Sequence, residues 1–221
     1  MSWLIGGGPV MVPLLICSIV ALAVVIERVL CLGKKRIIRP DLVRLIHEVK
    51  DVNDVPLALS KCKHIHGPFA NIIKHVLMNL HLSWEEKIHE IQIAGREETK
   101  VLERNLPLLE IVAAVAPLLG LLGTVMGLDS IFGAIATEGL GEPRAFSYGI
   151  AQAIRTTIMG LSIAIPSMIA YSFFDRRISN LVNEMERLST ILLNKLYASK
   201  AKQENERRVG IKVQDYSPEE S

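Results

Sequence analysis

The sequence has few cysteines, few aromatic residues and no motif typical of a catalytic centre. Its 221 residues include three cysteines, and 5% are aromatic. A small, odd number of cysteines without framework spacing argues against a disulfide-stapled fold. Nucleotide-binding glycine loops and nucleophile elbows are missing from the sequence, so an enzyme is not expected. Basic residues alternate with acidic ones and lack interleaved aromatic residues, which argues against nucleic acid as a partner.

Charge is missing from three long segments, Leu4–Ile26, Ile111–Leu128 and Thr156–Phe174. Half of the chain is hydrophobic, and its mean hydropathy is +0.33. Because about 20 apolar residues in a helix cross a bilayer, the sequence predicts an all-α integral membrane protein. It has three transmembrane helices, of which the long second and third extend into the cytoplasm. The three transmembrane helices are predicted in 1–30, 107–136 and 146–174. A cytoplasmic helical region in 31–106 connects the first two, and a periplasmic loop in 137–145 connects the last two. After the third span we expect a cytoplasmic helix extension in 175–198 and a disordered charged tail in 199–221.

The distribution of basic residues predicts the orientation of these helices. Of 25 lysines and arginines, 14 lie in residues 27–106 and 9 lie after Phe174. Basic residues accumulate on the cytoplasmic side of membrane proteins. We therefore expect the N-terminus outside and the C-terminus inside.

Helix start and stop signals divide the segment between the first two spans. Asp41 is the expected cap of one helix, and Asp54 opens a second that the Gly67-Pro68 pair ends. The run Ser83–Glu86 has the pattern of a capping box. The helix that begins there is expected to continue into the second span, with Pro107 as the only obstacle.

Small residues form a stripe along each of the last two spans. Their spacing of three and four residues places them on one helix face, and such stripes allow helices to approach closely in lipid. The two spans are therefore predicted to pack as a tight hairpin. Its expected contact residues are Gly120, Gly123, Gly127, Gly149, Ala153 and Gly160.

Threonines occur at similar depth in the two spans of this hairpin. Thr124 precedes the connecting loop by about as many residues as Thr156 and Thr157 follow it. A lone threonine in a membrane helix usually bonds its own backbone. Threonines at one depth on adjacent helices could instead form a polar ring in an oligomer.

Asp129 and Arg155 are ionisable residues inside the predicted spans, again at similar depth. One interpretation is a structural ion pair that holds the hairpin together. The other is that one of them faces an ion path, because intramembrane charges often mark such routes. Gln152 lies one turn from Arg155.

The segment Cys62-x-His64-x-His66 matches no common zinc spacing. We expect no metal there and predict that both histidines lie at the surface, ahead of the Gly67-Pro68 turn.

Two runs together resemble the signature of the MotA/TolQ/ExbB proton channel family. They are Pro117-Leu-Leu-Gly-Leu-Leu-Gly-Thr-Val-Met-Gly127 and Gly149-Ile-Ala-Gln-Ala-Ile-Arg-Thr-Thr-Ile-Met-Gly-Leu-Ser-Ile-Ala-Ile-Pro166. Glu27-Arg28 and Gly67-Pro68 also resemble this family. Three spans with the N-terminus outside resemble its TolQ/ExbB branch, rather than the four-span flagellar branch.

This resemblance implies a subunit of a motor in the bacterial inner membrane, driven by protons and without a cofactor. A homopentamer in the bilayer would surround a dimer of a single-span TolR/ExbD-like partner, whose intramembrane aspartate takes the proton. Proton motive force would then drive transport, envelope maintenance or motility. The implied ion pathway maps to Thr124 and Thr157, with Gln152, Arg155 and Thr156 beside them.

The sequence departs from the family at Gln152, where members often have glutamate, and at the added charges Asp129 and Arg155. Glutamine cannot carry a proton, so a structural membrane scaffold that has lost conduction is an alternative. A solute carrier is a third alternative. The sequence lacks the internal repeat and the interrupted helix pair that are typical of such carriers, which argues against it.

Overall fold

The computed structural model describes residues 7–33, 37–78, 82–138 and 143–214, and all regular structure in these ranges is helical. A short 3₁₀ turn at Val52–Asp54 precedes the third helix. The α-helices are α1 (Met11–Cys31), α2 (Pro40–Glu48), α3 (Val55–Lys63), α4 (Pro68–Met78), α5 (Trp84–Glu103), α6 (Leu106–Glu138) and α7 (Pro143–Gln214).

Three of these helices contain a segment long and apolar enough to cross a bilayer. They are α1, α6 over Leu106–Ala136, and α7 within Phe146–Gln203. The prediction of an all-α protein with three membrane spans is thereby confirmed. Helix α1 begins at Met11, after a turn at Gly7–Val10, and the predicted beginning of this span in 1–6 lies outside the described residues.

The chain divides into two compact units. The membrane unit comprises Met1–Cys31 and Glu103–Arg177, and the polar unit comprises Leu32–Leu102 and Ile178–Ser221. In the membrane unit, α1 packs against α6. Leu14 and Val24 of α1 are buried, whereas Ile16 and Ile19 are exposed. An apolar side chain on the outer surface is what a helix in contact with lipid requires.

A break separates α5 from α6, contrary to the predicted continuous helix. The chain turns at Arg104–Asn105, and α6 starts at Leu106. Pro107 therefore lies in the first helical turn, where its missing N–H has no intrahelical partner to lose. The side-chain amide of Asn105 donates to the Glu27 carboxylate at 2.6 Å, which ties this turn to the end of α1.

The polar unit is organised around the second half of α7. An apolar repeat in this half is buried throughout, at Ile178, Leu181, Met185, Leu188, Leu192 and Leu196. A second apolar face comes from α4, where Phe69, Ile72 and Ile73 are fully buried.

Three predicted helix starts and one stop can be compared with the structure. Asp54 directly precedes α3 and occupies its N-cap position, as predicted. The capping box is present: the Ser83 hydroxyl donates to the Glu86 carboxylate at 2.7 Å, and the Glu86 N–H points back to that hydroxyl at 3.4 Å. The break at Gly67-Pro68 is also present, with Gly67 at a φ of 142°. Asp41 is not the cap of α2, however. Arg39 occupies that position, because Pro40 is preorganised for the first helical turn.

The end of the chain differs from the predicted disordered tail. Helix α7 continues past Leu196, the last residue of the buried apolar repeat, to Gln214, because the many Lys, Gln, Glu and Arg residues of this part are favourable helix formers. Residues 215–221 of the predicted tail lie outside the described residues. The same holds for residues 139–142 of the predicted loop.

Candidate functional site in the membrane unit

Helices α6 and α7 approach each other until their backbones are in contact. A Cβ atom added to Gly160 would lie 2.6 Å from the carbonyl oxygen of Ala116. One added to Gly120 would lie 3.0 Å from the carbonyl oxygen of Thr156. Neither position leaves room for any side chain, so the small residues determine how closely the two spans pack.

The remaining predicted contact residues lie at the same interface. A Cβ on Gly123 would lie 2.5 Å from that of Thr156. Gly127 and Gly149 face each other, since a Cβ on either would lie 2.9 Å from the carbonyl oxygen of the other. Ala153 contacts Gly127 and is buried. The structure therefore brings together all six residues that the sequence assigned to the hairpin.

Thr124 and Thr157 form a hydroxyl pair between the two helices. Their Oγ1 atoms are 2.5 Å apart, so one hydroxyl donates to the other. The Thr124 Oγ1 also lies 3.2 Å from the carbonyl oxygens of Gly120 and Ala153. The Thr157 Oγ1 lies 3.4 Å from the same Gly120 oxygen. Both threonines are half-buried, so the pair remains accessible from one side.

This arrangement has more acceptors than protons. Each hydroxyl has one proton to donate and can accept another, while two backbone carbonyls lie within reach of the pair. The direction of the Thr124–Thr157 hydrogen bond can therefore reverse without loss of partners. A pair of this kind can pass a proton along, but neither hydroxyl can hold one at neutral pH, so a titratable group must come from elsewhere.

Thr156 has a different role from its neighbour. Its side chain is fully buried against Gly123. Its hydroxyl donates within its own helix, to the carbonyl oxygens of Gln152 at 3.2 Å and Ala153 at 2.9 Å. Thr156 thus belongs to the helix contact rather than to the hydroxyl pair.

Gln152 lies on the opposite edge of the α7 face from Thr157. Five residues along an α-helix correspond to a rotation of about 140°. The Gln152 side chain is buried and packs against Gly8 in the turn before α1. The structure therefore separates Gln152 from the hydroxyl pair, although the sequence had placed both along one path.

The predicted Asp129–Arg155 ion pair is not formed: within the described part of the chain, no salt bridge joins the two. Asp129 is exposed and Arg155 is half-buried. Their depths match, but their directions do not. Asp129 lies about 180° around α6 from Gly120, and Arg155 lies about 160° around α7 from Ala153. Each charge therefore points away from the hairpin contact.

Sequence reasoning missed Gly8 as a neighbour of Gln152. The two positions are far apart in the chain, and no periodic pattern relates a turn to a distant helix. The only local signal is the Gly6-Gly7-Gly8-Pro9 run, whose residue types are typical of a turn.

The Cys62-x-His64-x-His66 segment shows no sign of a metal centre. Cys62 is buried, whereas His64 and His66 are exposed. Burial raises the pKa of the Cys62 thiol, with Lys74 acting weakly in the opposite direction. Over the ranges that the structure describes, no three His, Cys, Asp or Glu side chains come close enough to hold a metal ion.

Comparison with known proteins identifies the relatives of this chain. The sequence model of the MotA/TolQ/ExbB proton channel family matches residues 64–187, more than half of the chain. That range includes the hydroxyl pair and the glycine contacts of α6 and α7.

Individual relatives carry names from the same branch. The chain is 31% identical to the putative biopolymer transport protein ExbB-like 3 of Synechocystis over 173 residues, covering 76% of the chain and 81% of that protein. It is 37% identical to the Tol-Pal system protein TolQ of Pseudomonas aeruginosa over 109 residues, covering 48% and 47%. It is 29% identical to a putative ExbB homologue of Methanothermobacter thermautotrophicus, covering 68% and 53%. The match thus spans about half the length of the last two relatives.

Proposed function

The chain belongs to the MotA/TolQ/ExbB proton channel family, and from this premise we propose that it is the channel subunit of an ion-driven membrane motor. In this proposal it resides in the inner membrane with its N-terminus outside. Together with a single-span partner of the TolR/ExbD type, it converts proton motive force into work on the cell envelope.

The Thr124–Thr157 hydroxyl pair is the observation that carries the proposal. It lies between two apolar spans, has acceptors in excess of protons and is open on one side. Hydroxyls in membrane helices ordinarily bond their own backbone, as Thr156 does. A pair that bridges two helices and stays accessible is suited to solvating a proton in transit.

The same pair explains why a partner is needed. Threonine hydroxyls cannot store a proton, and Asp129, the acid closest in sequence on α6, lies on the opposite side of that helix. A carboxylate supplied by a partner helix could accept the proton and meet the hydroxyls on their open side. An aspartate in the span of a TolR/ExbD-type protein has this chemistry.

Gln152 favours a second candidate, a scaffold that assembles like its relatives but does not conduct. Its carboxamide does not titrate, and it is buried against Gly8 rather than facing the hydroxyl pair. A scaffold of this kind would keep the glycine contacts and lose proton passage.

The deciding experiment measures proton uptake into liposomes that contain the chain together with a single-span protein of the TolR/ExbD type from the same organism. Thr124→Val/Thr157→Val removes both hydroxyls at nearly constant shape, and Thr124→Ser/Thr157→Ser retains them. We expect the valine variant to lose about tenfold or more of the uptake, a loss typical of removing a positioned proton-transfer group. The serine variant should stay close to wild type.

Native mass spectrometry of each complex serves as the control for assembly. A valine variant that assembles and still conducts as wild type would contradict the role of the hydroxyl pair. A wild-type complex that assembles but never conducts would favour the scaffold.

A further inference from the structure

The turn at Gly7–Val10 is a fixed part of the membrane unit. The carbonyl oxygen of Gly8 accepts the N–H of Met11 at 3.2 Å, and that of Pro9 accepts the N–H of Val12 at 3.3 Å. Gly8 has a φ of 72°, a left-handed conformation that favours glycine. Gly8 therefore lies in a turn that leads directly into α1.

Apolar side chains at the end of the turn and in the first part of α1 hold it in place. Val10 and Met11 are buried, and Leu14, one turn further along α1, is completely buried. Moving the turn away from the unit would expose these side chains together. The position of the Gly8 backbone is thus set by packing around it.

The neighbour of Gly8 is the side chain of Gln152. A Cβ added at Gly8 would lie 3.2 Å from Cδ of Gln152 and would overlap its Nε2. All three atoms nearest to such a Cβ belong to this one side chain. Gln152 is only 9% exposed, so its amide has little room to move aside.

We propose that Gly8 is a positioning residue for the α6–α7 hairpin: because it lacks a side chain, the turn packs on the Gln152 carboxamide without displacing α7, the helix that also carries Thr157 of the hydroxyl pair. The inference rests on the proposed function. The backbone of Gln152 is part of the same helix contact, because its carbonyl oxygen accepts the hydroxyl of Thr156, which packs against Gly123 of α6.

The test compares Gly8→Ala with Gly67→Ala, each in the wild-type and the Gln152→Ser chain. Gly67 is a control without a collision, since its φ of 142° is also positive, its carbonyl also accepts a helical N–H, and no atom lies within 4 Å of an added Cβ. Gly67→Ala therefore gives an upper bound on backbone strain alone, because its φ is less compatible with a side chain than the φ of 72° at Gly8. Serine at position 152 removes the atoms with which the new methyl group would collide.

Two readouts are taken from the complex with its single-span partner: hydrogen exchange of the amides in residues 7–14, and proton uptake. Gly8→Ala should accelerate the exchange by about tenfold, an effect within the range of overpacked sites, and should lower uptake. In the Gln152→Ser chain, Gly8→Ala should accelerate the exchange of residues 7–14 no more than Gly67→Ala accelerates the exchange of the amides around residue 67.

Each alternative result overturns a stated part of the inference. Equal acceleration with and without Gln152 would mean that Gly8 acts through backbone strain only. The same conclusion follows if Gly8→Ala prevents assembly and Gln152→Ser does not restore it. Faster exchange with unchanged uptake would refute the role in ion passage. A wild-type complex without uptake would refute the proposed function, and exchange would still decide whether Gly8 positions Gln152.

Discussion

Five serine and threonine hydroxyls of the membrane unit fall into two groups with different partners. Those of Ser130, Thr156 and Ser167 donate to carbonyl oxygens of their own helix at 2.7 to 2.9 Å. Those of Thr124 and Thr157 also reach the neighbouring helix, although Thr124 lies 3.2 Å from the Gly120 carbonyl oxygen of its own helix as well. Back-bonding satisfies a hydroxyl in lipid without any tertiary consequence. A cross-helix pair is therefore the feature that distinguishes a candidate path from ordinary helix chemistry.

Lys87 is an unusual residue of the polar unit, because its side chain is completely buried at the start of α5. Its ammonium group donates to the carbonyl oxygen of His75 in α4 at 3.3 Å. Burial lowers the pKa of Lys87 from the ordinary 10.5 to about 8, partly offset by Glu90. The buried side chain thus carries its charge at neutral pH at a cost in solvation.

This cost makes the stability of the polar unit depend on pH. Below about pH 8, Lys87 is charged in both the folded and the unfolded chain. Between about 8 and 10.5 the unfolded chain binds more protons, so the free energy of unfolding should rise with pH through that window. Lys87→Met should flatten the rise, and Lys100→Met, at an exposed position of the same helix, should leave it intact. Chemical denaturation from pH 7 to 10.5 measures the slope, and a rise that persists in Lys87→Met would contradict the assignment.

At the scale of helices, the hairpin of α6 and α7 depends on positions without side chains. Gly123→Ala would place a methyl group 2.5 Å from the Thr156 Cβ, and overpacking of this kind costs about 1–3 kcal/mol. Gly133→Ala is the matched control on the same helix, since an added Cβ there meets no atom within 4 Å. Unfolding of the purified protein in mixed micelles should show a lower stability for Gly123→Ala and no loss for Gly133→Ala. Equal effects of the two changes would mean that the helices are not in backbone contact.

Sequence patterns predicted those properties of the helices that depend on spacing within one element. Charge-free segments indicated the spans, and small residues at helical spacing indicated the hairpin with its six contact residues. The sequence also indicated the depth of each residue along its span, which is why Thr124 and Thr157 were considered together. Asp129 and Arg155 also share a depth, but both side chains point away from the helix contact. The predicted ion pair therefore failed because of the direction around each helix, not because of the depth.

Contacts between distant parts of the chain could not be predicted in the same way. The approach of Gly8 to Gln152 depends on how a turn lies against a helix more than a hundred residues later, and neither segment encodes the other. The break at Arg104–Asn105 depends on a tertiary bond too, from Asn105 to Glu27. The only visible signal was Pro107, and proline is compatible with both a helix start and a kink.

At the scale of the whole molecule, a single chain leaves much of the apolar surface of its membrane unit exposed. Large side chains of α6 and α7, among them Leu118, Leu121 and Ile154, are exposed. Lipid can cover them, but Arg155 and Asp129 also point outward, and an isolated charge in lipid costs several kcal/mol. Contact with further subunits would cover the apolar residues and provide polar neighbours for the charges.

We therefore expect the chain to form a closed ring around its single-span partner, of five copies and two partners as the family implies. Native mass spectrometry of the chain, co-expressed with a single-span protein of the TolR/ExbD type and held in nanodiscs, measures this composition directly. Replacing the intramembrane carboxylate of the partner by its amide should leave the mass unchanged and abolish proton uptake, because the hydroxyl pair cannot hold the proton alone. A chain that stays monomeric or dimeric beside its partner would contradict the ring. Uptake that survives the amide replacement would instead place the titrating group within this chain.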